Sequence, residues 1–379
     1  MRTTSRWRLA LAAGVSSLAL LTATACGTTT QAASGGSGQQ TVAKDDLVLV
    51  LSVINTTNPY MASMIEGAKS LSKQLGVPLK VVDSGGSSQQ EISQIQAILA
   101  EGKKVALVSN TVASADAVPI INSVKQAGGY GVIWWNKPDD FTPEQVGDNF
   151  VAFQLHSGVD AGECTGKNLA ESMGGKGNIV VFPGVLDSTI SQQRVAGLKE
   201  ALKAYPDIKI LEERPANWDQ QVGFKEAQGM IAKYGDQING VWTADDAMML
   251  GAIQAFDNAG TTANVKFAGE GLYPPTIELM QKPGSTITAE TFHRGYMAAA
   301  IGLLTAYEAA TGELDVKSMT PEQRQGIFKI GCVTPSNLAD YTKYDADVDG
   351  WVKGLIESGP FDAEPVPVVG AGPVKMPSE

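Results

Sequence analysis

The chain has 379 residues, 43% hydrophobic and 18% charged, which excludes a disordered or collagen-like polypeptide. At this length a single core stops growing, so two lobes are expected. With 29 Lys plus Arg against 40 Asp plus Glu the formal net charge is −11, and basic clusters are missing, so no nucleic-acid partner is expected. Two histidines and three cysteines leave little material for a metal cluster, and no metal or other cofactor is expected.

Taken in chain order, Arg2, Arg6 and Arg8 precede a short apolar run, Leu9 to Leu21, too brief to span a bilayer, which needs about 20 residues. This is the pattern of a secretory signal peptide, residues 1–25. Leu21-Thr22-Ala23-Thr24-Ala25-Cys26 resembles the lipobox of bacterial lipoproteins, with Ala23 and Thr24 as departures. The resemblance implies cleavage before Cys26, lipidation there, and anchoring at the extracytoplasmic face of the bacterial cell membrane. Cleavage without lipid is the alternative. Removal of residues 1–25 leaves 26 basic against 40 acidic residues, a formal charge of −14. Residues 26–46, rich in Thr, Ser, Gly and Gln, read as a tether. Cys164 and Cys332 remain as an even pair in an oxidising compartment; they form either a disulfide or two buried thiols.

From Leu47 onward, strands alternate with helices. Leu47–Ile54 is a continuous apolar run, as in a strand buried on both faces. Asn58-Pro59 opens a helix that stops at Gly76. Strands at 79–82, 105–108 and 131–135 follow, with helices at 89–101 and 115–127 between them. A second series after Asp148-Asn149 opens with a helix at 153–173. Strands follow at 178–182, 208–212, 240–243 and 265–268, separated by helices at 191–205, 220–234 and 247–259. This is an α/β pattern, with parallel sheets built from right-handed βαβ units. The expected organisation is a first lobe of 47–148 plus 291–330 and a second of 149–290 plus 331–362. Residues 363–379, with four prolines, are read as a disordered tail.

Catalytic motifs are missing: no G-x-S-x-G, H-E-x-x-H or G-x-G-x-x-G occurs, and no enzyme activity is expected. Gly162 to Asn168 is one residue short of a phosphate loop and lies inside an apparent helix. His156 and His293 neighbour no nucleophile and read as surface or hydrogen-bonding residues. Asp345-Ala-Asp347-Val-Asp349-Gly350 matches half a calcium loop, but Ile356 stands where the bidentate Glu belongs, so the acids are read as charges opening a helix.

Function is carried by strand ends, where ligands bind in open parallel sheets. These ends present Asn55 to Tyr60, Ser109 and Asn110, Trp134 to Lys137, Asp187 to Gln192, Asp245, Asp246, Glu270 and Glu290, with Trp218 in a loop. Amides and carboxylates bond vicinal hydroxyls, and an aromatic face stacks on the C–H face of a sugar. Each has a plainer reading: Asp245-Asp246 as helix caps, one of Trp134 and Trp135 as core.

Several segments carry a family resemblance: Asn58-Pro59-Tyr60-Met61, Val82-Asp83-Ser84, Gln192 to Leu198, Ala216-Asn217-Trp218-Asp219, Thr243 to Met248, Gly269-Glu270-Gly271 and Thr288-Ala289-Glu290. With them the chain resembles the ribose/galactose-type periplasmic substrate-binding proteins of sugar ABC transporters, the type I periplasmic binding fold. The resemblance implies two doubly wound parallel-sheet lobes joined by a three-strand hinge near Asp148-Asn149, Glu290-Thr291 and Cys332-Val333. It implies a protein that captures a sugar or polyol and delivers it to ABC transporter permease subunits; a sensor feeding a membrane receptor or kinase is the alternative. The implied ligand set is Asn58, Tyr60, Met61, Ser109, Asn110, Asn136 and Lys137 from the first lobe. The second supplies Gln192, Trp218, Asp245 and Glu270, with Glu290 at the hinge. Asn136-Lys137 stands where the family often has Asp-Arg, and Gln192 where an Arg is common. The expected wall therefore lacks arginine and is acidic, which points to a polyol, cyclitol, unusual sugar or amine-bearing ligand.

Overall fold

The computed structural model describes residues 41–377. The signal peptide and Cys26 lie outside the described residues. Thirteen strands build two sheets: β1 (Leu47–Val53), β2 (Leu79–Asp83), β3 (Lys104–Asn110), β4 (Tyr130–Trp134), β5 (Phe150–His156), β6 (Lys176–Phe182), β7 (Asp207–Glu213), β8 (Gly240–Thr243), β9 (Lys266–Ala268), β10 (Ile287–Phe292), β11 (Gln325–Phe328), β12 (Gly331–Val333) and β13 (Val368–Ala371). The first sheet runs β13-β11-β5-β4-β3-β1-β2 and the second β12-β10-β9-β8-β6-β7. All pairings are parallel except β11 with β13 and β10 with β12. Every residue of β1 is buried, as a mainly apolar strand covered on both faces should be, with the buried Ser52 hydroxyl satisfied by Glu91.

The chain crosses between lobes at His156 to Gly158, Phe292 to Gly295 and Phe328 to Gly331, and returns a fourth time after β12. Three expectations are corrected by this path. Phe150–His156 is a strand of the first sheet, not the approach to a helix starting at 153, because all seven of its residues are buried between β4 and β11. The segment after β12 does not stay with the second lobe. Its helix, Val348–Ser358, packs on helix Pro59–Leu75, where Asp349 accepts from Ser70 Oγ. The tail is not wholly irregular either, since Val368–Ala371 pairs with β11.

Glycines explain the tightest packing. A Cβ at Gly162 would sit 2.0 Å from Arg194 O, and one at Gly197 would sit 2.1 Å from Val159 O. Helices Gly158–Ser172 and Thr189–Leu202 therefore touch backbone to backbone, which explains the phosphate-loop look of residues 162–168. The acids 345–349 likewise have structural partners: Asp345 holds Arg294, Asp347 caps helix Val348–Ser358, and Asp349 meets Ser70 and Lys73. No group of metal-ligating side chains occurs among the described residues.

Cys164 and Cys332 are joined in a disulfide with Cα atoms 5.8 Å apart, tying helix Gly158–Ser172 to the edge strand β12. The bridge spans 168 residues of sequence. Closing so long a loop restricts the unfolded chain. The double variant Cys164→Ser/Cys332→Ser is expected to lose about 2–4 kcal/mol in urea unfolding. An unchanged midpoint would show that the bridge contributes nothing.

Candidate functional site between the lobes

Between the carboxyl ends of the two sheets lies a cavity with about 370 Å³ of empty space in and around it. Ile54, Asn58, Tyr60, Met61, Asn110, Trp135 and Asn136 line it from the first lobe; Ile190, Arg194, Trp218, Asp245 and Tyr273 line it from the second, with His293 at a crossing. The lobes meet around it. Asn136 Oδ1 accepts from Ser188 Oγ at 2.8 Å and Ile190 N at 3.2 Å, and Ser114 Oγ lies 2.8 Å from Thr189 Oγ1. Asn58 caps helix Pro59–Leu75 by accepting from Tyr60 N at 2.8 Å. Its Nδ2 crosses to the other lobe, donating to Asp245 Oδ2 at 3.0 Å and Trp218 O at 3.2 Å.

Arg194 is the centre of the second-lobe wall. Its guanidinium carbon lies 5.2 Å from the Trp135 ring and 5.8 Å from the Trp218 ring, an indole from each lobe. Nε pairs with Glu270 at 2.8 Å, Nη1 donates to Ala244 O at 2.5 Å, and Nη2 meets His293 Nε2 at 3.3 Å. A guanidinium only donates, so Nε2 accepts and the ring hydrogen sits on Nδ1. His293 Nδ1 and Trp218 Nε1, both donors, have no protein partner, nor does the acceptor Asn110 Oδ1. All three belong to residues that line the cavity.

Backbone conformation concentrates strain here. Among the described residues, Trp135, Asn217, Trp218 and Leu272 are non-glycine residues with positive φ, and all four lie at or beside the cleft. Trp218 is seated by Gly184, where any Cβ would come within 2.1 Å of the indole. Its ring thus packs under its own loop and faces the cavity at once.

Of the residues expected at the site, Asn58, Tyr60, Met61, Asn110, Asn136, Trp218 and Asp245 come together around the cavity. Five do not line it. Ser109 Oγ donates to the buried Glu91 at 2.6 Å, on the other face of the first sheet. Lys137 turns back to Pro138 O and the Phe153 ring. Gln192 faces outward and donates to Leu186 O. Glu270 lies behind Arg194, and Glu290 lies behind Asp246. Asp245 is both a helix cap, accepting from Met248 N, and an interlobe contact.

The expected arginine-free acidic wall is corrected by Arg194, which faces the cavity and balances Glu270. Trp135, within the strand end read at 134–137, also lines the cavity, whereas Arg194, Tyr273 and His293 were missed. Arg194 is two residues beyond the Gln192 position, and the polar loop after β9 gave no sign of Tyr273. His293 is no surface residue: its ring lies 5.2 Å from Tyr60, 5.2 Å from Trp135 and 5.5 Å from His156.

Comparisons with known proteins agree with this geometry. The family described as "Periplasmic binding protein domain" matches residues 49–313. The chain is similar to the xylitol-binding protein of Mycolicibacterium smegmatis, 28% identical over 339 residues, 89% of this chain and 88% of that one. It is similar to the ribose import binding protein RbsB of Escherichia coli K12, 27% identical over 58% of this chain and 70% of that one. Among solved structures, a twin-arginine translocation pathway signal protein from Burkholderia phytofirmans superposes with a TM-score of 0.80 at 28% identity, covering 88% of this chain and all of that one.

Burial sets the charge state of the two histidines. It holds His156 at about 4 and His293 well below the ordinary value, with Arg194 nearby adding to the effect on both. Both rings are therefore expected to stay neutral at pH 5.5, read from the two imidazole 15N signals. A ring that protonates with a midpoint near 6.5 would contradict the buried placement.

Proposed function

This chain belongs to the periplasmic binding protein family, and from that premise we propose that it captures a small polyhydroxylated ligand, a polyol or sugar, in the interlobe cavity. The observation that carries this reading is the mixture of unpaired donors and an unpaired acceptor, Trp218 Nε1, His293 Nδ1 and Asn110 Oδ1, beside aromatic faces. A hydroxyl both donates and accepts, so an array of hydroxyls satisfies both kinds of atom, while indole and phenol rings cover C–H faces. The relatives are substrate-binding proteins and not enzymes, and one of them is named for a linear polyol.

The resident contacts already engage much of the wall. Arg194 is balanced by Glu270, and Asp245 Oδ2 already accepts from Asn58 Nδ2 and from Tyr273 Oη at 2.7 Å. An uncharged ligand suits such a wall, because hydroxyls meet the unpaired donors and acceptor without bringing a further charge into a low-dielectric cleft. Closing the lobes buries the ligand, and the energy of closure comes only from differential affinity for the closed state. Delivery to an ABC transporter permease, with a lipid on Cys26 holding the protein at the membrane, completes the proposal.

Calorimetry with xylitol, D-ribose and myo-inositol tests it. At least one should bind, and Trp218→Ala should weaken that ligand roughly tenfold to a hundredfold through lost ring contact and an indole hydrogen bond. Asp245→Ala should lower both affinity and apo stability, since it caps a helix and latches Asn58. Full affinity in Trp218→Ala would move the site away from this cavity.

A further inference from the structure

Two buried carboxyl groups behind the cavity have no place in ligand contact. Asp246 Oδ1 and Glu290 Oε1 lack any hydrogen-bond partner, yet both converge on one point: a Cβ at Gly269 would lie 2.8 Å from the first and 3.0 Å from the second. Their other oxygens are occupied. Asp246 Oδ2 accepts from Tyr273 N at 2.7 Å, and Glu290 Oε2 accepts from Leu272 N at 3.3 Å. Two consecutive amides of one loop are thus gripped by two acids, each through one oxygen. Both acids are fully buried.

We propose that Asp246 and Glu290 share one proton between their facing oxygens, and that this carboxyl–carboxylate pair is the clamp that positions Tyr273 at the cleft. Without a proton two buried carboxylates would face each other, which like charges in a low dielectric forbid. The hydrogen closes the pair and leaves both outer oxygens free to accept the two amides. What they hold is a strained turn: Gly271 has φ +125° and Leu272 φ +51°, a region costly for a leucine. Beyond the turn, Tyr273 Oη donates to Asp245 Oδ2 and lies 3.3 Å from Asn58 Oδ1 on the opposite lobe. A single proton therefore supports a chain of contacts ending at the interlobe seam. Glu290 is a positioning residue, not a ligand contact.

The surroundings fit this state. Asp245 and Glu270 are the acids nearest the pair; Arg194 reaches only Glu270, and Thr276 adds a hydroxyl beside Asp246. From the opposite side helix Gly158–Ser172 brings up the bridged Cys164, whose sulfur lies 3.8 Å from Glu290 O. Among the described residues no Lys or Arg forms an ion pair with either acid. Burial raises both carboxyls, Glu290 well above the ordinary value, with Asp246 beside it adding to the rise.

A raised folded-state pKa means stability that is fully present at low pH and falls as pH rises above the unfolded carboxyl value. The test is urea unfolding of the ligand-free protein from pH 5 to 9, comparing wild type with Glu290→Gln and Asp246→Asn. Each amide supplies the hydrogen permanently and keeps an oxygen for its amide of the loop. The unfolding constant of wild type should rise about tenfold more per pH unit than that of either variant, one proton fewer being released on unfolding. Hydrogen exchange at 271–273 should increase in Glu290→Ala while β1 and β3 stay protected. Parallel pH slopes would overturn the proposal, as would failure of both isosteric variants to fold. The link to the cleft rests on the proposed ligand site: xylitol affinity should weaken toward pH 9 in wild type and not in Glu290→Gln. Lack of xylitol binding to any form counts against the ligand reading alone, because the ligand-free slopes still decide the clamp.

Discussion

A guanidinium buried between two indoles governs the architecture of the cleft. Arg194 could not sit there uncompensated, since removing one partner of a buried pair costs about 3–5 kcal/mol. Glu270 pairs with its charge while the Ala244 carbonyl and His293 Nε2 accept its hydrogens, and each comes from a different segment. The arginine thereby fixes the ends of β8 and β9 relative to the crossing after β10. It also fixes a tautomer: His293 accepts at Nε2 and must keep its hydrogen on Nδ1 for a ligand. Trp135 covers the charge from the first lobe and Trp218 from the second, so closure of the lobes completes the aromatic sandwich.

The same economy appears at the hinge. Four passages between lobes gather around the carboxyl ends of the sheets, where the disulfide ties helix Gly158–Ser172 to β12 and β12 in turn pairs with β10. β10 carries Glu290, whose partner Asp246 begins the helix capped by Asp245. Cysteine, carboxyl pair and cap form one continuous support for the loop bearing Tyr273. The links at 157, 293–294 and 329–330 lie outside this braced block.

Much of this was legible in the chain because βαβ units leave a strong period: apolar runs for strands, caps such as Asn58 and Asp245 for helices, and functional side chains at strand ends. Asn58, Tyr60, Asn110, Asn136 and Asp245 follow from that rule, while Met61 came with the family resemblance and Trp218 from its loop. Where the rule failed, a physical reason is visible. Gln192 and Arg194 are two apart on a helix, a rotation of roughly 200°, so a two-residue misplacement exchanges solvent for cleft. Ser109 sits at the proper strand end but points to the opposite face from Asn110, as alternation in a strand demands. Glu270 and Glu290 were read as ligand contacts because sequence shows a carboxylate but not the cation or second acid already in front of it. Phe150–His156 carries no turn residue inside it, and only its neighbours in the sheet distinguish a buried strand from a buried helix end.

The central claim is that the cavity around Arg194 and Trp218 holds an uncharged polyhydroxylated molecule. The most direct measurement is denaturation of protein purified from its own host, followed by mass spectrometry of the small molecule released, with Trp218→Ala purified in parallel. The account predicts a polyol or sugar near one per protein chain in wild type and a marked depletion in the variant. A stoichiometric ligand without hydroxyl groups, or one retained equally by Trp218→Ala, would contradict it.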